Sequence, residues 1–511
     1  MRLKLACHAT SGWIVIAILL PSVSCSQRNT TPPDQIRSDE TSLEQVRSDE
    51  TSPEQIRSDQ TSPEQVRSEI RTIEGSEQDW PRFLGNRFDG SVEKTGFSID
   101  WKQPPGVAWS IEVGDGYGLG TVSKGKFFQL DASRQFDVVT SRLVSRERLR
   151  CFDFMSGAEI WSKSNSYQYS DLLGYEDGPR TSPSVVGDRV ITYGVTGMLK
   201  CRDVEDGTEI WSVDTNAKYG VVQNFFGVGS SPLVLDGKVI VMVGGSPPED
   251  QEVAPMQLDR VTFNGSAVVA FDLDDGKEIW RTGDDLASYS SPRPIKIDGI
   301  DYVLVFARTG LLLVNPVEGK TEWQFEHRAS IRDSVNAMVP IVSGDEVFIS
   351  ECYELGSALL QVSKTQPRVI WKDPPRDRRR QAMRSHWATP VLVDGFLYGC
   401  SGRNAPDSDF RCISWKTGEV EWVDSRRIRS SIARVGEHLV LLEERGLMQI
   451  LRVNSKRLDL VAEWDLSEDD GARLGIKYPC WAAPVIVGKR ILVRGTDRIL
   501  CLEFALEKTK P

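Results

Sequence analysis

One pattern recurs along this chain of 511 residues: an apolar pair, often an acidic residue, a turn containing Gly, and then Trp. It reads LRCFDFMSGAEIW to Trp161, LKCRDVEDGTEIW to Trp211, VVAFDLDDGKEIW to Trp280, LLLVNPVEGKTEW to Trp323 and FRCISWKTGEVEW to Trp422. Two degenerate copies, LLQVSKTQPRVIW at Trp371 and LRVNSKRLDLVAEW at Trp464, keep the Trp and lose the Gly. From Trp161 to Trp464 the intervals are 50, 69, 43, 48, 51 and 42 residues, close to the length of a four-stranded propeller blade. Between the copies lies a second signal: a small residue and Pro, an apolar run, Gly or Asp-Gly, and another apolar run. TSPSVVGDRVITYG (181–194), SSPLVLDGKVIVMV (230–243), SSPRPIKIDGIDYVLVF (290–306), ATPVLVDGFLYG (388–399) and AAPVIVGKRILVRG (482–495) carry it. Gly supplies the positive φ that hairpin turns need, so each unit reads as hairpin A–B and then hairpin C–D, with Trp on strand D.

The last unit, Trp481 through ILCLEF (499–504), has three strands, and VAWSIEV (107–113) is a Trp-bearing strand without a blade. Joined, they give an all-β, eight-bladed β-propeller of four-stranded antiparallel blades, closed by N- and C-terminal strands. Its equivalent tryptophans are Trp109, Trp161, Trp211, Trp280, Trp323, Trp371, Trp422 and Trp464. Closure removes the sheet edges that an open stack would expose. A helical alternative fails, because no sustained 3.6-residue periodicity runs through the body.

Ahead of the body, Arg2, Lys4, the apolar run Trp13–Leu20 and small residues before Cys25 read as an export signal over 1–25, too short to span a bilayer. Ser22-Val23-Ser24-Cys25 resembles the lipobox of bacterial lipoproteins, in which the Cys is lipidated, with Ser22 where that motif usually has Leu. Residues 26–79 carry decapeptide repeats such as PDQIRSDETS and LEQVRSDETS, too poor in apolar side chains to offset ordering entropy, and are expected to form a disordered linker. Residues 80–106 are expected to dock on the propeller, which occupies 107–505 and leaves a tail at 506–511. The linker holds 13 Asp and Glu against 6 Arg, which accounts for most of the net charge of -11. The body is therefore only mildly acidic, and nothing in it suggests a nucleic-acid partner.

Over residues 80–505 these repeats resemble the propeller repeat named after pyrroloquinoline quinone (PQQ), L-x-A-x-D-x-x-T-G-x-x-x-W. Similar repeats build the quinoprotein alcohol dehydrogenases, which bind that quinone with calcium. They also build the propeller lipoprotein of the outer-membrane protein assembly machine, a non-enzymatic scaffold. WPRFLGNRFDG (80–90), GYEDGPRTSP (174–183), MRSHWATPVL (383–392) and PCWAAPV (479–485) are similar to a group of exported propeller proteins of planctomycete-type bacteria.

The repeat tryptophans read as architecture, each docking between blades with its N–H on a backbone partner. Cys151, Cys201, Cys412 and Cys501 share one phase of strand C and read as packed thiols. Cys400 and Cys412, on adjacent strands of one blade, are the pair to test for a disulfide. The resemblance implies adjacent cysteines beside the cofactor in quinoprotein dehydrogenases, and this chain has no Cys-Cys. The four histidines, His8, His327, His386 and His438, show no paired spacing, and no nucleophile elbow or P-loop is present. No catalytic residue, metal or cofactor is expected, PQQ with calcium entering only if the chain is a dehydrogenase.

Loops from strand D to the next strand A converge at one mouth of the channel, where the sequence places Arg180, Asn224, Phe225, Tyr289, Asn336, Arg384, His386, Arg429, Lys477 and Tyr478. Such a ring suits a carbohydrate or a small anionic ligand. The run Arg376, Arg378, Arg379 and Arg380, with the insertion 244–265 on the same face, suits an envelope protein or polymer. The leading expectation is an exported, periplasmic or outer-membrane-anchored binding or assembly scaffold. It would be monomeric and reach the membrane through a lipid anchor on Cys25. A PQQ-dependent alcohol dehydrogenase and a funnel-binding lectin or sensor are the alternatives.

Overall fold

Each repeat folds as its alternation dictates. In the third blade Leu233–Leu235, Lys238–Met242, Val268–Asp272 and Glu278–Thr282 pair antiparallel in chain order. The first two strands turn through Asp236 and Gly237, both at positive φ (47° and 70°), as a tight two-residue hairpin requires. The computed structural model describes residues 79–93, 96, 98–137, 141–467 and 475–507, and contains eight such sheets. The expected signal, Cys25 and the linker up to residue 78 lie outside the described residues.

The eighth blade is assembled from both ends of the described chain. Val485–Val487, Arg490–Arg494 and Arg498–Glu503 supply three strands and Gly106–Glu112 the fourth, with Trp109 opposite Cys501. Every outermost strand shifts register near its Trp. A bulge there twists the exposed edge away from the flat geometry that would template another strand.

The tryptophans tie blade to blade. Seven indole N–H groups donate to a carbonyl of the next blade at 2.8–3.2 Å, from Trp109 on Phe154 round to Trp422 on Asn454. Trp464 instead meets Phe504 edge-on, ring centres 5.8 Å apart. The Gly of the motif seats the preceding blade's indole: a Cβ on Gly276 would stand 2.6 Å from the Trp211 ring. At the axis the small residues of the second signal lace the innermost strands together. Ser182 N–H donates to Ser231 Oγ and Ser231 N–H to Ser291 Oγ, both at 2.9 Å, and Val339 N–H donates to Thr389 Oγ1 at 3.0 Å.

The segment 79–92 has no repeat character and takes a separate path across the axis. Trp80 exchanges backbone hydrogen bonds with Val122 of the first blade (2.8 and 2.9 Å), and Pro81 C=O accepts from Val185 N–H of the second (2.7 Å). Phe88 C=O accepts from Arg293 of the fourth (2.8 Å), and Ser91–Val92 adds a parallel strand to Ser430–Val435 of the seventh. This strap closes one end of the channel. The described part of the expected tail is paired as well, Glu507 N–H donating to Ser98 C=O at 2.9 Å.

Cys400 faces Phe410 and Cys412 faces Tyr398, so the pair is out of register and both thiols are free and buried. The insertion 244–265 folds into two short turns, Pro248–Glu252 and Leu258–Arg260, with Leu258 and Val261 packed over Phe225, Val335 and Tyr353.

Candidate functional site

Above the strap lies a cavity of about 220 Å³ on the propeller axis. Trp80, Phe83 and Leu84 of the strap form its floor, and its wall is the first turns of the innermost strands, including Leu119, Ser182, Ser231, Thr389, Ser431 and Val485. At the opposite end, blade-to-blade loops bring Tyr117, Tyr175, Phe226, Tyr289, Trp387 and Trp481 around the opening.

These rings form an unbroken arc. Tyr289 meets Phe226 at 5.2 Å between ring centres, Phe226 meets Tyr175 at 5.5 Å, Tyr175 meets Trp481 at 5.8 Å, and Trp481 meets Trp387 at 5.5 Å. Tyr117 packs on Trp481 at 4.8 Å. Offset and tilted packing of this kind keeps the rings rigid at little entropic cost.

Two guanidinium groups lie over the arc, and both are already neutralised. Arg180 pairs with Asp171 at 2.7 Å, donates to the carbonyls of Glu176 and Gly178, and sits 5.5 Å over the Tyr117 ring. Arg429 donates to Glu444 at 2.7 Å and lies 5.0 Å over Trp481, whose indole N–H also donates to Glu444 at 3.0 Å. His386 Nε2 is 3.1 Å from the Tyr353 hydroxyl. Burial, with Arg403 and Arg429 nearby, pushes the His386 pKa down to about 3, so the ring is neutral. Its Nδ1 and the Trp387 indole N–H are buried with no hydrogen-bond partner among the described residues.

With that geometry, a comparison of sequences decides the family. The chain matches the family profile described as outer membrane protein assembly factor BamB over residues 145–424, more than half its length. It belongs to this PQQ-like propeller family. No curated protein sequence matches it. Among solved structures, a europium-containing methanol dehydrogenase aligns with a TM-score of 0.59 at 12% identity, covering 83% of this chain and 91% of that one. The quinohemoprotein alcohol dehydrogenase of Comamonas testosteroni aligns with a TM-score of 0.53 at 12% identity, covering 85% and 82%. BamB of Moraxella catarrhalis aligns at 12% identity with a TM-score of 0.48, covering 79% and 99%. At these identities the dehydrogenase likenesses are of fold alone.

Against this PQQ-like framework the expected mouth is partly redrawn. Arg180, Tyr289, His386 and Arg429 line the cavity, and Tyr478 stands at its rim, ring beside Trp481 and hydroxyl 3.5 Å from Arg429. The other five face elsewhere. Asn224 donates to Ala287 C=O, and Asn336 donates to the carbonyls of Ala307, Arg308 and His327. Arg384 is buried on Asp407 at 2.8 Å, Phe225 is buried under the insertion, and Lys477 is exposed, 3.7 Å from Asp497. Polar loop residues are consumed by backbone carbonyls of neighbouring loops, and Arg384 by the Asp407 carboxylate. The sequence reading missed Tyr117, Tyr175, Phe226, Trp387 and Trp481. Trp387 and Trp481 carried a signal, an aromatic just before the small-Pro pair in SHWATP and PCWAAP, whereas Tyr117 has no Pro after it. The arginine run is also less free than expected: Arg376 pairs with Glu354 (3.1 Å), Arg378 with Asp407 (3.5 Å) and Arg380 with Asp377 (3.6 Å). Arg379 alone of the four has no ion pair among the described residues.

Proposed function

We propose that this chain is a non-catalytic binding scaffold of the cell envelope, exported, held to the membrane through Cys25, and presenting its aromatic mouth to a protein partner. The observation that carries the reading is the arc of rings at the convergence of the loops, flanked by exposed Leu173, Tyr175 and Tyr478. Rigid aromatic anchors around a desolvated centre are what protein interfaces use as hot spots. Membership of the BamB-type family supports it.

The residues present do not suit calcium-bound PQQ. That pair needs clustered oxygen ligands and free cations for its carboxylates. Among the described residues no three His, Cys, Asp or Glu side chains converge to hold a metal ion, and the cavity's two arginines are paired. The same pairing disfavours a small anion.

The test is crosslinking in living cells from a photoreactive residue at position 173 or 478, with position 279 on an outer strand as control. One envelope protein captured at 173 and 478 and missing at 279 is the expected result. Dye-linked alcohol oxidation by purified protein supplied with PQQ and calcium would overturn the proposal.

A further inference from the structure

We infer that the partner docks by inserting one apolar side chain, carried on a loop, through the ring of aromatics into the axial cavity. The inference rests on reading the mouth as a protein-binding surface and names the chemistry that this surface selects.

The lining decides charge. No Asp, Glu or Lys lines the cavity, so an inserted Lys or Arg finds no counter-charge there. The two lining arginines are held by Asp171 and Glu444. An inserted carboxylate would have to take one of them from its partner, and a buried charge left alone is costly. A neutral side chain disturbs neither pair.

The wall decides polarity. Leu119, Ala388, Ile432, Ala483 and Val485 stand over Leu84 of the strap, and hydrocarbon buried among them is stabilised in proportion to the area removed from water. The volume of about 220 Å³ exceeds the roughly 150 Å³ in which an apolar cavity takes up benzene, so a Phe or Leu side chain has room.

The lip distinguishes a protein loop from a free small molecule. Leu173, Tyr175 and Tyr478 are 43%, 40% and 54% exposed there. A small molecule seated on the axis leaves that apolar surface in water. A loop that delivers a side chain to the cavity lies across the lip and covers it as well. An anchor in a pocket, ringed by contacts that keep water out, is the arrangement that concentrates binding energy at protein interfaces.

The experiment has two parts. The purified chain is first titrated calorimetrically with toluene, n-butylammonium and propionate, which stand for the side chains of Phe, Lys and Glu. Toluene should bind saturably, one to one, with both ions at least about tenfold weaker because each would enter as an uncompensated charge. Ala388 and Ala483 lead into the sixth and eighth blades, half-buried with the cavity on one side. Ala388→Phe and Ala483→Phe each put a ring into the space, and each should weaken toluene by about tenfold to a hundredfold, the worth of one buried apolar side chain. The second part is crosslinking in cells from position 478, where both filled chains should lose the envelope protein that the parent chain captures. Thermal midpoints identify a filled chain that has merely unfolded, and the toluene titration of the parent chain decides the matter if neither folds. Toluene that fails to saturate, an ion that binds more tightly, or capture that persists in a folded, filled chain would each overturn the inference. In the last case the scaffold reading stands and the partner rests on the lip alone, whereas a parent chain that captures nothing at 173 or 478 removes both.

Discussion

Gly237 and Gly276 hold the same backbone angle, φ of +70° in each, for different reasons. Gly237 turns a hairpin in open space, with nothing within 4 Å of an added Cβ, whereas the same atom on Gly276 would meet Trp211 at 2.6 Å. Gly237→Ala should therefore lose about 1–2 kcal/mol, the cost of a left-handed conformation. Gly276→Ala should lose about 2–5 kcal/mol, because the overpacked indole adds to it. Urea denaturation of both variants checks the difference, and equal losses would show that the ring yields freely. This pairing of Gly with Trp was legible in the sequence because both recur at fixed spacing. The direction of a loop side chain was not. Asn336 and Arg384 occupy positions comparable to Tyr289 and Arg429, and only the local supply of unpaired carbonyls and of Asp407 turns them inward.

At the scale of elements, the repeats could be counted into strands, but the strap at 79–92 could not be placed, since WPRFLGNRFDG repeats nowhere else. Its path depends on long-range contacts with four different blades, which no local pattern encodes. Its consequence is large, because it makes the channel blind. Trp80 is almost fully buried and its ring lies against Gly85, within 3.1 Å of where a Cβ there would stand. Trp80→Ala should lower stability by about 3–5 kcal/mol, as truncation of a buried ring does. Urea denaturation checks the loss, and an unchanged midpoint would mean that the strap adds nothing to stability.

For the whole molecule, eightfold closure was legible because one Trp strand lacked a blade and one blade lacked a strand. Closure also sets where the ring opens first. Trp109 and Trp280 make equivalent bonds to the next blade, 2.8 Å to Phe154 C=O and 3.0 Å to Pro316 C=O. Truncating either to Ala should remove about 3–5 kcal/mol. The strand of Trp280 is nevertheless held to Val268–Asp272 by a short hairpin turn, whereas Gly106–Glu112 reaches Arg498–Glu503 from the other end of the body. Re-forming that second pairing closes a very long loop, and the entropy of closure grows with loop length. Trp109→Ala should therefore let the closing strand detach as a unit below global unfolding, and Trp280→Ala should not. Hydrogen exchange followed by mass spectrometry should show faster exchange across 106–112 and 498–503 in Trp109→Ala alone. The bared edge at 498–503 should also make that variant associate as its concentration rises. Equal protection of the two regions in both variants would mean that blade packing, rather than the paired termini, keeps the ring shut.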